Sequence, residues 1–83
     1  MAEIELYRSP ISYKKANGDE WDEVFEEYSY LYEDESDRII EVRRHGRCNA
    51  RDPSVDYEDS QRNVINEIDL PDEARKALDR LKK

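Results

Sequence analysis

Cys48 and His45 are the only side chains in the sequence that could form a thiol nucleophile and an imidazole base. They stand three residues apart beside Gly46, among several arginines. A cysteine becomes a useful nucleophile when a base or a positive charge activates it. The surrounding glycine and arginines are typical of an exposed turn, so we interpret Cys48 as an incidental surface cysteine. We therefore expect Cys48→Ser to leave the protein's activity intact.

Other catalytic and cofactor chemistry lacks the residues it would need. One His and one Cys cannot supply a tetrahedral zinc site of thiolates and imidazoles. The acidic segment 33–37 lacks the glycine and the ligand spacing of a calcium loop. Gly18 and Gly46 are the only glycines, too few for a glycine-rich phosphate loop. We expect a non-enzymatic protein with no catalytic residue, metal or cofactor.

Charge is arranged in blocks along the 83 residues, whose net charge is −8. Residues 19–37 carry ten carboxylates and no Lys or Arg, whereas residues 38–51 carry five Arg and one Glu. Residues 52–73 are acidic again, and the last ten residues are basic. Phosphate backbones would be repelled by most of this chain, so nucleic acid is not expected as the main ligand. The acidic block is either a solvated face or a surface for a strongly basic partner.

Tyrosines are interleaved within this acidic block, which favours a contact surface. Tyr supplies contact area at low entropy cost, and carboxylates accept paired hydrogen bonds from Arg. We assign Trp21, Phe25 and Tyr28 to the core and Tyr30 and Tyr32 to the surface. The predicted partner-binding residues are Asp19, Glu20, Asp22, Glu23, Glu26, Glu27, Tyr30, Tyr32, Glu33, Asp34, Glu35 and Asp37.

The basic residues from Arg38 to Arg51 allow two interpretations. They could contact phosphate or a carboxylate patch on a partner. Alternatively, they could neutralise the neighbouring acidic block within the same chain.

Hydrophobic spacing predicts a strand at residues 3–8 and a turn at Asn17-Gly18. Apolar residues at three- and four-residue spacing favour a helix from Asp19 to about Tyr28. The alternative is that Asn17-Gly18 closes a hairpin and the following segment is a strand. From Tyr28 the spacing changes to two, which predicts a hairpin over residues 28–45 with its turn at residues 33–37.

The C-terminal third is predicted to be helical after an irregular connection at residues 47–55. Tyr57, Gln61, Val64, Ile65 and Ile68 would share one helix face, with Asp56 or Ser60 as the cap, although residues 64–68 could also form a strand. Pro71 suits the first turn of a last helix at 71–82, where acid at the start and base at the end match the helix dipole. Its apolar stripe of Ala74, Ala77, Leu78 and Leu81 could support a homodimer.

These elements predict one acidic α+β domain over residues 1–83. A short antiparallel sheet, made of the 28–45 hairpin and the N-terminal strand, would pack against two or three helices. No apolar run is long enough to cross a bilayer and no signal peptide is apparent, so no membrane partner is expected. With one cysteine and no internal disulfide, the chain is expected in the cytoplasm.

Three function classes fit this sequence. The first is a nucleic-acid mimic that occupies the basic channel of a nucleic-acid-handling protein. Phage-encoded restriction inhibitors and anti-CRISPR proteins are commonly short and acidic in this way, a comparison of size and charge alone. The second is an immunity protein or antitoxin that neutralises a basic toxin. The third is a small accessory subunit of a larger assembly.

Overall fold

The computed structural model describes residues 3–16 and 18–82, with Asp19 described by its backbone alone. Strand accounts for 59% of the described residues, and one α-helix lies at their C-terminal end. The elements are β1 (Glu3–Arg8), β2 (Ser12–Ala16), β3 (Asp19–Glu33), β4 (Arg38–Asn49), β5 (Tyr57–Ile65) and α1 (Asp72–Lys82), with short 3₁₀ turns at Pro53–Val55 and Glu67–Asp69.

The strands form one antiparallel sheet in the order β1-β3-β4-β5, with β2 also pairing with β3. β1 and β2 lie one after the other along the same edge of β3, interrupted at Pro10. Ser9 bridges the interruption, because its backbone N–H donates to the Tyr28 carbonyl (2.8 Å) and its hydroxyl accepts from the Tyr28 N–H (2.9 Å). The fifteen-residue β3 sets the length of the molecule, which measures 49 × 24 × 16 Å.

The hydrophobic core lies at one end of this long sheet, which we call the proximal end. It contains Leu6, Ile39, Leu70, Ala74 and Leu78, so α1 packs over the end where β3 leads into the turn to β4. A register shift in β1 between Glu5 and Tyr7 brings both Leu6 and Tyr7 to this core. Every buried apolar side chain among the described residues comes from the proximal end. The opposite part of the sheet, residues 12–27 and 43–61, is therefore one layer thick, and we call it the distal half.

The helix predicted from Asp19 to Tyr28 is wrong, since these residues belong to β3. In a helix, neighbouring carboxylates would repel one another at three- and four-residue spacing. In the sheet they face arginines of β4, so long-range pairing outweighs the local apolar spacing. The hairpin alternative agrees with the structure: Gly18 has a φ of +71° between β2 and β3. Asn17 of this turn lies outside the described residues.

The predicted packing of a sheet against two or three helices is also wrong. Residues 57–65 of the expected 57–68 helix form β5, which pairs with β4 over nine positions. This pairing satisfies backbone N–H and C=O groups of β4 that would otherwise lack a partner strand. Asp56 and Ser60 therefore cap no α-helix. The N-terminal strand and the last helix are confirmed. The hairpin at 28–45 is present, but its strands extend to Asp19 and Asn49.

The predicted division of aromatic residues between core and surface is wrong. Trp21 is 38% exposed, and Phe25 and Tyr28 are only partly buried. Tyr30 and Tyr32 instead pack against the core cluster beneath α1. A strand turns alternate residues to one face, and the face that carries Tyr30 and Tyr32 is the one that α1 covers.

Candidate binding surface

A ladder of ion pairs joins the acidic β3 to the basic β4. Glu33 pairs with Arg38 (3.0 Å), Glu26 with Arg43 (2.7 Å) and Glu27 with Arg44 (3.7 Å), and Arg47 makes two hydrogen bonds to Asp22. The interpretation of the basic residues as internal compensation is confirmed for these four arginines. Four of the ten carboxylates in the acidic block are thus paired with arginines across β3 and β4.

The ladder shifts the acidity of its carboxyl groups. Hydrogen bonds from Arg47 hold the pKa of Asp22 below its ordinary value, and those from Arg43 do the same for the pKa of Glu26. Hydrogen bonds from Ser36 and then Arg38 lower the pKa of Glu33. Each of these groups is therefore more firmly charged in the folded protein than in an unfolded chain.

Strand alternation divides the acidic block between the two faces of the sheet. Asp22 and Glu26 share the face of Tyr30, whereas Glu23, Glu27 and Glu33 point to the other face. The predicted binding residues therefore do not form one continuous face.

The remaining predicted residues lie at the two ends of β3. Asp34, Glu35 and Asp37 form the exposed proximal turn, where Asp37 accepts from the Tyr32 hydroxyl (2.7 Å) and lies 3.6 Å from Lys82. Glu20 and Glu23 lie at the distal end. The side chain of Asp19 is outside the described part of the chain.

A groove of about 460 Å³ lies at the distal end, between the start of β3 and the end of β4. We call it the acidic groove; its lining residues are Glu20, Trp21, Glu23, Cys48, Asn49, Ala50 and Asp56. Glu20 and Asp56 are exposed and form no ion pair among the described residues, while Glu23 pairs with Lys15 (2.7 Å). The groove therefore combines a large aromatic ring with two carboxylates that form no ion pair among the described residues.

Hydrogen bonds fix the connection that forms one wall of this groove. The Asn49 backbone N–H donates to the Asp56 carboxylate (2.7 Å), and the Ala50 N–H donates to the Trp21 carbonyl (3.0 Å). The Arg51 guanidinium lies 4.6 Å from the centre of the Trp21 ring, a cation–π contact. The groove is held in shape by the backbone of residues 49–56, with one positive charge beside its aromatic ring.

Because Gly46 has no side chain, the Tyr57 carbonyl oxygen and the Phe25 ring can lie close to the β4 backbone in the distal half. A Cβ atom at this position would stand 2.3 Å from the Tyr57 carbonyl oxygen and 2.6 Å from the Phe25 ring. Phe25 also contacts Tyr13, with ring centres 6.3 Å apart. A second groove of about 440 Å³ beside Phe25 shares Cys48 and Asp56 with the acidic groove, so the two form one continuous surface.

His45 and Cys48 lie on opposite faces of β4, because residues three apart on a regular strand point in opposite directions. The two side chains therefore do not form a nucleophile and base pair. Within residues 3–16 and 18–82, no three His, Cys, Asp or Glu side chains come close enough to hold a metal ion.

Sequence reasoning identified Glu20 and Glu23 but missed Trp21 and Asp56 as parts of the groove. Trp21 was assigned to the core because its spacing fits a helix. Asp56 reaches the groove only through the β4–β5 connection, a long-range contact. The Asn17-Gly18 turn signal, taken as a hairpin, was the one local feature that could have placed Trp21 on a strand.

The chain matches no protein family model, no curated protein and no solved structure. Among the described residues, no helix has both the length and the apolar character needed to cross a membrane.

Proposed function

We propose that this protein is a non-enzymatic binding protein whose acidic groove occupies the basic, nucleic-acid-binding surface of a partner protein. The observation that carries the proposal is that one groove is lined by the exposed ring of Trp21 and by the carboxylates of Glu20 and Asp56. Neither carboxylate forms an ion pair among the described residues. Aromatic anchors surrounded by polar groups dominate many protein interfaces. Carboxylates are the natural acceptors for the arginines of a phosphate-binding surface.

The distribution of charge supports the choice of a basic partner. The net charge is −8, and four arginines of β4 are already committed to carboxylates of β3. A partner with a positive surface would be attracted over about a Debye length, roughly 8 Å at physiological ionic strength. The negative charge of this protein repels nucleic acid. The partner could therefore not hold both at one surface, and its nucleic acid would compete with this protein for binding.

The acidic groove is accessible to a partner because the distal half is a single layer. Among the described residues, the one α-helix packs on the proximal core, and Tyr13 and Tyr57 of the distal half are 59% and 53% exposed. The molecule is 24 Å wide and 16 Å thick, so its narrow distal end, which carries the groove, could enter a channel that would exclude a more compact domain. The proposed action resembles that of anti-restriction and anti-CRISPR inhibitors, a comparison of size and charge alone.

The proposal is tested by capture from a bacterial lysate with tagged protein and two matched variants. Glu20→Lys with Asp56→Asn removes charge in the acidic groove, and Asp56→Asn keeps an acceptor for Asn49. Glu67→Lys with Asp69→Asn makes the same net change at exposed proximal positions. We expect the wild type and the proximal variant to retain a nucleic-acid-binding protein that duplex DNA displaces. The groove variant should lose it.

Other outcomes would contradict the proposal in distinct ways. Retention of one small basic toxin, unaffected by DNA, would make the protein an immunity protein or antitoxin. Equal retention of the partner by both variants would show that the contact lies outside the acidic groove. If nothing retained is sensitive to salt, the acidic groove is a solvated surface.

A further inference from the structure

The two edges of the sheet differ in how they are protected from pairing with another strand. The β1–β2 edge carries Pro10, two register shifts and the exposed cations Lys14 and Lys15. Proline, bulges and lysine are the usual devices that prevent edge-to-edge association. β5, on the other edge, has no proline, lysine or register shift against β4, and eight of its nine residues are exposed.

We propose that β5 pairs antiparallel with β5 of a second copy, about a two-fold axis at Gln61. This register uses all nine residues of the strand. Tyr57 lies opposite the partner's Ile65, and Asp59 lies opposite the partner's Asn63. Aromatic residues opposite β-branched ones, and polar pairs that hydrogen bond, are favourable across strands.

Strand length and charge together select this register over its neighbours. Centring the pair on Ser60 would set Glu58 directly opposite the partner's Arg62 but would pair only residues 57–63. With Gln61 at the axis, Glu58 lies opposite the partner's Val64 and diagonal to the partner's Arg62. Both groups already form ion pairs within the protomer, Glu58 with Arg44 (3.2 Å) and Arg62 with Glu3. Centring the pair on Asp59 would place two carboxylates face to face. Centring it on Arg62 would place two guanidinium groups face to face. Like charges directly opposite are destabilising, and the Gln61 register has none.

The strand is better suited to a second copy than the apolar stripe of α1. Ala74 and Leu78 of that stripe are fully buried in the protomer's own core. β5 itself carries only Glu58, Asp59 and Arg62, so it brings little of the total negative charge to the interface. The dimer would join the two five-stranded sheets into one continuous sheet.

The first test uses disulfide trapping in a Cys48→Ser background. Gln61→Cys places the two thiols directly opposite each other at the axis, where Cβ atoms stand about 4.5–5.5 Å apart and small adjustments permit a disulfide. Asn63→Cys is the matched control, because its two copies would be four residues apart along the pair, about 13 Å. We expect mild oxidation to cross-link the Gln61 variant covalently and to leave the Asn63 variant without a covalent cross-link. Equal cross-linking of both would overturn the proposed register.

The second test measures the dimer dissociation constant by analytical ultracentrifugation. Gln61→Lys sets two lysines opposite each other, whereas Asn63→Lys sets each lysine opposite the partner's Asp59. We expect the dissociation constant to rise at least about 10-fold for Gln61→Lys and to stay equal or fall for Asn63→Lys. A wild-type protein that stays monomeric at every concentration would refute the dimer, as would equal effects of the two lysines.

Discussion

Leu78→Ala should destabilise the whole molecule, including the distal half that Leu78 does not touch. Leu78 is fully buried in a core cluster that has five buried members among the described residues. Truncation of a buried leucine to alanine costs about 3 kcal/mol. A domain of this length has a total unfolding free energy of roughly 4–12 kcal/mol. The substitution should therefore lower the melting temperature by roughly 12–24 °C.

Two probes report on the two ends of the sheet during this unfolding. Far-UV circular dichroism follows the sheet and helix together, and Trp21 fluorescence follows the distal end. Because the distal half has no buried apolar core of its own among the described residues, we expect both probes to shift to the same new midpoint. Leu81→Ala is the matched control on α1, since Leu81 is 44% exposed and should cost less than about 1 kcal/mol. An unchanged Trp21 transition in Leu78→Ala would refute the dependence of the distal half on the proximal core.

Three further predictions concern the strands. Gly46→Ala should destabilise by about 1–3 kcal/mol, since its Cβ would meet the Tyr57 carbonyl oxygen at 2.3 Å; an unchanged urea midpoint would contradict this. Arg47 lowers the pKa of Asp22, so this pair stabilises the fold above the unfolded Asp pKa and the contribution is lost as pH falls through the lower folded value. Thermal unfolding from pH 5 to 2 should thus be less pH-dependent in Arg47→Ala, and equal slopes would argue against the pair. Burial raises the pKa of Tyr30 to about 12, so stability should fall from pH 10 to 12, less steeply in Tyr30→Phe; an identical decline would contradict this.

The parts of the fold that were visible in the sequence are those set by local patterns. The alternation at residues 3–8 and the stripe and end charges of 71–82 are local, and both elements formed as expected. The segment 19–28 was misassigned because its apolar spacing fits a helix while its carboxylates need arginines that are distant in sequence. β5 was missed for a similar reason: its pairing with β4 depends on the long connection at residues 50–56.

The candidate site was only partly visible for the same physical reason. Glu20 and Glu23 stood in a conspicuous acidic run, but the sequence could not say that Asp22 and Glu26 would be neutralised across the sheet. Alternation on a strand then separates residues that are adjacent in the chain. Net charge alone leads to the prediction of a basic partner. Strand pairing determines which carboxylates are not already in ion pairs.

The proposed function is tested most directly by the affinity of the purified partner for three proteins at two salt concentrations. We expect Glu20→Lys with Asp56→Asn to weaken binding at least about 10-fold, with Glu67→Lys with Asp69→Asn close to the wild type. Binding should weaken as salt rises, and duplex DNA should compete for the partner. Equal affinities of the groove and proximal variants, or a ternary complex with DNA, would contradict occupation of a nucleic-acid-binding surface by the acidic groove.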